Sequence, residues 1–329
     1  MLRIGLIGTG RAGRNHAAAY RKLAAARLLM VADAAPEAAR QVALQCDAQA
    51  APEPASILES PEIDVVDVCV PTFLHREYVL QAARAGKHVI CEKPIALTVE
   101  DGRAMIEACR RAGVRFFVAH PTRFGPVYRR LKTLLDSGDY GRPLAAKTRR
   151  GGRFYPGADR WLDDPAKSGS IMVEAMLHDF DLLRWYFGPV DRVYCAWQVA
   201  HEPYYQEAAF ATLHFVSGVV AMVEGSRVHN DRFYNTLDVY CSHGVVAYDY
   251  RNQTSLRLMT PSFDGRSVTV SASYEDPTGY DQFEAELGHF LTCIESAQTP
   301  LVTTEDAVES LAIALAALLS SQTGAPVAL

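Results

Sequence analysis

The stretch from Leu2 to Gly13 leaves this chain few ways to fold. Leu2-Arg3-Ile4-Gly5-Leu6-Ile7 reads as a short buried strand that runs directly into Gly8-Thr9-Gly10-Arg11-Ala12-Gly13 and an alanine-rich helical segment reaching about Ala26. In such a strand, turn and helix, the first glycine permits a tight turn, the second lets backbone approach a pyrophosphate, and the third lets helix pack on strand. The helix N-terminus supplies amide N–H groups to the phosphates. A glycine pattern alone is weak evidence. Here the next strand, Leu28 to Ala32, ends in Asp33, 20 residues beyond Gly13 (33 minus 13), the spacing at which a carboxylate accepts from an adenosine ribose. Ala34 and Ala35 offer no cation to a 2′-phosphate, so NAD is favoured over NADP. Arg11 is expected beside the pyrophosphate or in solvent.

The alternation continues through a helix at Ala38 to Gln45, a strand at Val65 to Val70, a helix at Phe73 to Ala85 and a strand at His88 to Cys91. A helix at Thr98 to Ala112, with Thr98 as its cap and Asp101 as the capping partner, precedes a last strand at Arg115 to Ala119. This predicts a Rossmann-type, doubly wound parallel sheet over residues 1–121. Pro71 and Thr72 fall at a strand's carboxyl end, where Thr72 either meets a cofactor or caps a helix. Val89-Ile90-Cys91-Glu92-Lys93-Pro94 is an apolar strand closed by a charged pair and a proline. Because proline donates no hydrogen bond and fixes its own φ, the strand must turn there. That sets the Lys93 ammonium at a carboxyl edge, where open α/β sheets bind ligands, and where the two halves of the chain would meet.

A length of 329 residues suggests two domains. A formal charge of -5 offers no broad basic surface to a nucleic acid. The 7 cysteines are scattered without C-x-x-C spacing, which fits reduced thiols in a cytoplasmic protein. The longest apolar run, Leu311 to Leu319, is far below a bilayer span. No H-E-x-x-H or Cys/His ligand cluster points to a metal.

Residues 122–329 read as an α+β domain with a large, mainly antiparallel sheet. A helix to about Ser137 and a strand near Leu144 to Arg150 lead into Gly151 to Ser170, a segment rich in glycine, aromatics and charge. It is too long for a simple connector and is a candidate substrate loop through Arg153, Tyr155 and Trp161. From Ile171 to Phe187 apolar residues recur at helical spacing, placing Glu174 and His178 one turn apart, so that the carboxylate could orient the imidazole. Strands follow at Val190 to Gln198, Ala208 to Val216, Val219 to Arg227, Leu237 to Cys241, Val245 to Tyr250 and Ser255 to Met259. One face of such a sheet needs covering, which suggests a homo-oligomer, dimer or tetramer, through it. Asp281 to Ser296 and Glu305 to Gln322 close the chain as helices. His120, at the end of the strand Arg115 to Ala119, could face a nicotinamide or make a domain-joining hydrogen bond, and Asp231, Phe233 and Tyr234 fall just before a strand.

Taken together, Gly8-x-Gly10-x-x-Gly13 with Asp33, Pro71-Thr72-x-x-His75, Gly86-Lys87-His88-Val89-x-Cys91-Glu92-Lys93-Pro94 and Met-Leu-His178-Asp179-x-Asp181 resemble the Gfo/Idh/MocA oxidoreductase family nearly end to end. The resemblance implies that Lys93 is catalytic, that Glu92 approaches the nicotinamide ribose, that His75 lies near the cofactor, and that His178 is the acid/base. It also makes Lys93–Pro94 a candidate cis bond, which has a prior of only about 5–6% on physical grounds alone. Inositol dehydrogenases of the family usually carry aspartate where this chain has Glu174.

The expected activity is NAD-dependent oxidation of a secondary alcohol on a polyol, cyclitol or sugar, or the reverse reduction. Lys93 would stabilise alkoxide charge and His178 would take the hydroxyl proton. Two alternatives share the resemblance: a glycosidase that oxidises its sugar transiently through bound NAD, and a non-catalytic NAD-binding regulatory protein.

Overall fold

The computed structural model describes residues 1–152, 158–201, 205–228, 233–250, 256–261, 267–271 and 280–329. Arg153 and Tyr155, and Asp231, lie outside the described residues. The chain forms two compact units: Met1–Phe124 with Gly157–Trp161 and Tyr280–Leu311, and Gly125–Pro156 with Leu162–Gly279 and Ala312–Leu329.

The first unit is built from β1 (Leu2–Ile7), α1 (Arg11–Tyr20), β2 (Ala26–Ala32), α2 (Pro36–Gln45), β3 (Gln49–Ala50), α3 (Pro54–Glu59), β4 (Val65–Val68), α4 (His75–Arg84), β5 (His88–Glu92), α5 (Val99–Arg111) and β6 (Phe116–Ala119). The six strands pair in parallel in the order β3-β2-β1-β4-β5-β6. This is the expected doubly wound sheet, and its order reverses between β1 and β4, where such sheets bind ligands. Ile4, Leu6, Val65, Val66, Val68, Val89 and Ile90 are fully buried, as strands covered by helices on both faces require. Thr98 caps α5 as expected, its Oγ1 accepting from the Asp101 amide at 3.1 Å. The short β3 and α3 have too few residues to carry a periodic signal and were not anticipated.

The second unit contains α6 (Pro126–Ser137), β7 (Pro143–Gly151), α7 (Pro165–Ser168), α8 (Ser170–Glu174), α9 (Leu177–Phe187), β8 (Val190–Ala200), β9 (Gln206–Phe215), β10 (Val220–Ser226), β11 (Tyr234–Cys241), β12 (Gly244–Asp249), β13 (Arg257–Pro261) and β14 (Ser267–Ser271). The last helices and strand of the chain are α10 (Gln282–Ser296), α11 (Thr304–Thr323) and β15 (Val327–Ala328). Among the described residues nine strands form one sheet in the order β14-β13-β12-β11-β7-β10-β9-β8-β15. Every pairing is antiparallel except β7 with β10. One face of this sheet exposes Phe210 of β9 and Met222 of β10, at 55% and 56% of their surface, with Tyr194 of β8 and Tyr240 of β11.

Two features depart from the sequence expectations. The contiguous halves 1–121 and 122–329 are not the compact units, because Tyr280–Leu311 belongs with the first. Leu287, Phe290 and Leu291 of α10 join Ile4, Leu6, Tyr20, Phe117 and Phe124 in one core, and Phe290 stacks on Phe117 with ring centroids 4.9 Å apart. The expected single helix over Ile171 to Phe187 is two, α8 and α9, joined at Ala175 and Met176. Gly225 of β10 makes room for Met176: a Cβ there would come within 2.5 Å of the Met176 Cγ.

All seven cysteines are free thiols, six of them buried. Among the described residues no helix is long and apolar enough to cross a membrane.

Candidate active site

The glycine turn has the shape its spacing predicts. Gly8 sits at φ +97°, a left-handed conformation that side chains rarely adopt, and a Cβ there would collide with the Cys69 carbonyl oxygen. At Gly13 a Cβ would overlap the Gly8 carbonyl oxygen, so helix and strand could not close up. A Cβ on Gly10 would meet nothing within 4 Å, which leaves that side of the turn open to a ligand. Helix α1 begins at Arg11 with Gly10 as its N-cap, no capping side chain and no acidic residue in its first turn. Its first amides are therefore available to an anion. Arg11 is exposed and Ala12 partly so.

Asp33 stands just past β2 and is tied to the same turn. Its Oδ2 accepts from the Thr9 amide at 2.6 Å and the Thr9 hydroxyl at 2.8 Å, and its Oδ1 accepts from the Ala35 amide at 2.8 Å. A carboxylate has about four acceptor positions, so capacity remains for a ribose hydroxyl. The open turn, uncapped helix and anchored carboxylate fit a dinucleotide. Gly8, Thr9, Gly10, Arg11, Ala12 and Gly13 could hold its pyrophosphate, and Asp33 its adenosine ribose.

At the carboxyl end of β5 the chain turns through Glu92, Lys93 and Pro94, and the Lys93–Pro94 peptide is cis. Lys93 is half-buried, and its amide donates to Glu92 Oε2 at 3.0 Å. His75, the first residue of α4, is buried with Nδ1 2.9 Å from the Pro94 carbonyl oxygen and Nε2 2.9 Å from that of Val70. It thus ties the Lys93 turn to the turn after β4, and burial pulls its pKa down. Pro71 precedes a single 3-10 turn, Thr72–Leu74, and Thr72 is buried there without capping a helix. Trp161 packs edge-on to Phe73, with centroids 6.5 Å apart.

Behind Glu92 lies a buried polar cluster that sequence reasoning missed. His16, on the inner face of α1, contacts Asp67 Oδ2 through Nδ1 at 2.9 Å and Glu92 Oε1 through Nε2 at 3.2 Å. Asp67 also accepts from the Tyr20 hydroxyl at 2.8 Å and the Cys69 thiol at 3.4 Å. Burial alone would raise the Glu92 carboxyl, but the hydrogen bond and charge of His16 hold it below the usual range. The only sequence signal was a histidine three residues past Gly13 on an otherwise apolar helix face.

In the second unit Glu174 ends α8 and His178 lies in the first turn of α9, so they do not share one helical face. The Glu174 carboxylate pairs with Arg227, whose other nitrogen donates to Glu207 at 2.5 Å. Glu207, 1% exposed, also accepts from the Ile171 amide and Trp197 Nε1, both at 3.1 Å. Asp179, next to His178, accepts from Arg150 at 2.5 Å and from the Thr148 hydroxyl at 2.7 Å. The start of α9 is thereby fixed to β7, with His178 half-buried beside that anchor. His120 and Tyr234 are buried and Phe233 is exposed.

A doubly wound sheet with this glycine turn and anchored aspartate defines a dinucleotide-binding protein. The chain belongs to the Gfo/Idh/MocA family. Residues 2–120 match the oxidoreductase family's NAD-binding Rossmann fold, and residues 128–247 match the GFO/IDH/MocA C-terminal domain. It is 30% identical to myo-inositol 2-dehydrogenase of Thermotoga maritima over 96% of this chain and 95% of that protein. It is 28% identical to scyllo-inositol 2-dehydrogenase (NAD(+)) of Bacillus subtilis over 100% of this chain and 96% of that protein. The structure of levoglucosan dehydrogenase in complex with NADH and L-sorbose superimposes with a TM-score of 0.88 at 23% identity, over 99% of this chain and 98% of that one, which establishes the shared fold.

Proposed function

We propose that this enzyme, an NAD-dependent dehydrogenase, acts on a secondary alcohol or ketone of a cyclitol, sugar or related polyol, with NAD preferred over NADP. The observation that carries the proposal is the Glu92-Lys93-Pro94 turn at the carboxyl end of β5, in the sheet whose β1 bears the open glycine turn. When bound, the nicotinamide accepts or returns the hydride. The residues of the chain handle the proton and the developing charge. The Lys93 ammonium donates a charge-assisted hydrogen bond to the reacting oxygen, and His178 takes its proton. Glu174, Arg153, Tyr155 and Trp161 are assigned to substrate hydroxyls, and Pro71, Thr72, His75 and Glu92 to the nicotinamide side of the cofactor. Glu174 is longer than the aspartate usual in inositol dehydrogenases and already pairs with Arg227, so it is assigned to selecting the substrate.

The exposed apolar residues Phe210 and Met222 support association into a dimer or tetramer through the sheet. Gel filtration is expected to give a multiple of the chain mass, and a clean monomer would remove this part. The reduced cysteines support a cytoplasmic location.

The deciding assay follows NADH absorbance with purified protein, NAD and a panel of inositols, aldoses and sugar acids. Net NADH formation with at least one polyol is expected, which also separates a dehydrogenase from a transiently oxidising glycosidase. Lys93→Ala is expected to lower turnover by about 10²–10³ while NAD still binds. Near-normal turnover in that variant removes Lys93 from the chemistry.

A further inference from the structure

We propose that His16 is a positioning residue: an imidazolium held between Asp67 and Glu92 that locks the turn carrying Lys93 to the helix that follows the glycine turn. The proposal rests on the assignment of Lys93 to the reaction and adds the device that holds it.

Charge placement carries the inference. Both His16 nitrogens face carboxylate oxygens, at 2.9 Å on Asp67 and 3.2 Å on Glu92. The Nδ1 contact is a hydrogen bond, whereas Nε2 faces Glu92 without hydrogen-bond geometry. Asp67 also accepts from the Tyr20 hydroxyl and the Cys69 thiol, and Glu92 from the Lys93 amide, which favours the ionised form of each carboxyl. A positive ring between two such carboxylates leaves neither without a counter-charge.

The surroundings agree. Burial alone would disfavour the charged ring, but the Asp67 carboxylate hydrogen-bonded to Nδ1 raises its pKa. Burial pushes the Cys69 thiol far up, so it stays neutral and the effective charge is that of Asp67. From α10, Phe283 faces the His16 ring with centroids 5.8 Å apart. Glu286 on the same helix is fully buried and pushed well up by that burial, so it adds no anion at neutral pH. Asp67 on β4, His16 on α1 and Glu92 at the end of β5 therefore alternate in sign across two contacts. Without His16, Glu92 would lose the group that keeps it ionised in a buried position.

His16, Asp67 and Cys69 also offer ligand atoms within 4.8 Å of one another, so the test includes a metal assay. Protein labelled with 15N-histidine, without substrate, is expected to show one ring protonated on both nitrogens at pH 8, and that signal disappears in His16→Gln. Asp67→Asn, which keeps the side-chain volume, converts the same ring to a neutral one at that pH. His16→Gln is expected to lower kcat by about 10²-fold, the cost of misplacing a reactive group by about 1 Å, with NAD affinity retained and the acid limb of the kcat profile moved to higher pH. A neutral His16 ring in the wild type at pH 7, wild-type kcat and pH profile in His16→Gln, or a stoichiometric metal lost on that substitution would each overturn the proposal. If Lys93→Ala keeps its turnover, the assignment of Lys93 falls, whereas the ring protonation reports on His16 alone.

Discussion

The Gly8–Gly13 turn and the Ser170–Phe187 segment both present residues for chemistry, yet they acquire their geometry in opposite ways. The turn is shaped by its own backbone: Gly8 takes a conformation that side chains resist, Gly13 leaves no room for a Cβ, and Asp33 is fastened to Thr9 next to it. The second segment is shaped from outside. Arg150 on β7 grips Asp179, and Arg227, just past β10, holds Glu174 and Glu207 together. Local steric rules can be read from a motif, whereas a buried ion pair exists only once distant strands have been brought into register.

Removing one partner of a buried pair strands the other, at a cost of about 3–5 kcal/mol. Asp179→Ala should therefore lower stability in urea denaturation by that amount, since Arg150 and Asp179 are both buried. A loss below about 1 kcal/mol, the usual worth of an exposed pair, would break the contrast by making the segment's anchor dispensable. The matching change in the turn, Asp33→Ala, is expected to act on binding. It should cost about 1.5–3 kcal/mol of NAD affinity, as for hydrogen bonds to a charged group, while NADP binding falls less because repulsion of the 2′-phosphate is relieved. Equal losses for both dinucleotides in calorimetry would show that Asp33 does not discriminate between them.

A third test sharpens the electrostatics of the first unit. The folded-state pKa of His16 is raised above its unfolded value near 6.5, so its stabilisation is fully present below pH 6.5 and is lost as pH rises through the folded value. Denaturation midpoints measured upward from pH 6.5 should fall, with a slope of at most about 1.4 kcal/mol per pH unit for one proton. His16→Gln should flatten that slope. The smallest effect is expected at a purely local device: Thr98→Ala removes the cap of α5 and should cost about 1 kcal/mol without altering turnover.

The legibility of the site follows the same division. Gly8, Gly10, Gly13, Asp33 and the Lys93-Pro94 turn were visible because each depends on residues within one strand, turn and helix unit. Glu174 and His178 were visible as residue types, but their expected common face dissolves at Ala175 and Met176, where Met176 is accommodated by Gly225 on a strand some 50 positions later (225 minus 176 is 49). Asp67, Arg150, Arg227 and Glu207 carried no signal and His16 only its place on an apolar helix face, since a polar residue on an apolar element acquires meaning only from the partner that packing provides.

By itself the amino-acid order determined the parallel sheet of the first unit, its glycine turn, the carboxylate that follows β2 and the place of Lys93 at the end of β5. All of these rest on the conformational limits of glycine and proline and on short-range periodicity. The tertiary structure alone decided that α10 completes the core of the first unit, that β7 lies parallel to β10 in a nine-stranded sheet, and that His16 joins Asp67 to Glu92. Those choices depend on which buried surfaces and charges meet across long stretches of chain, and no local rule encodes that.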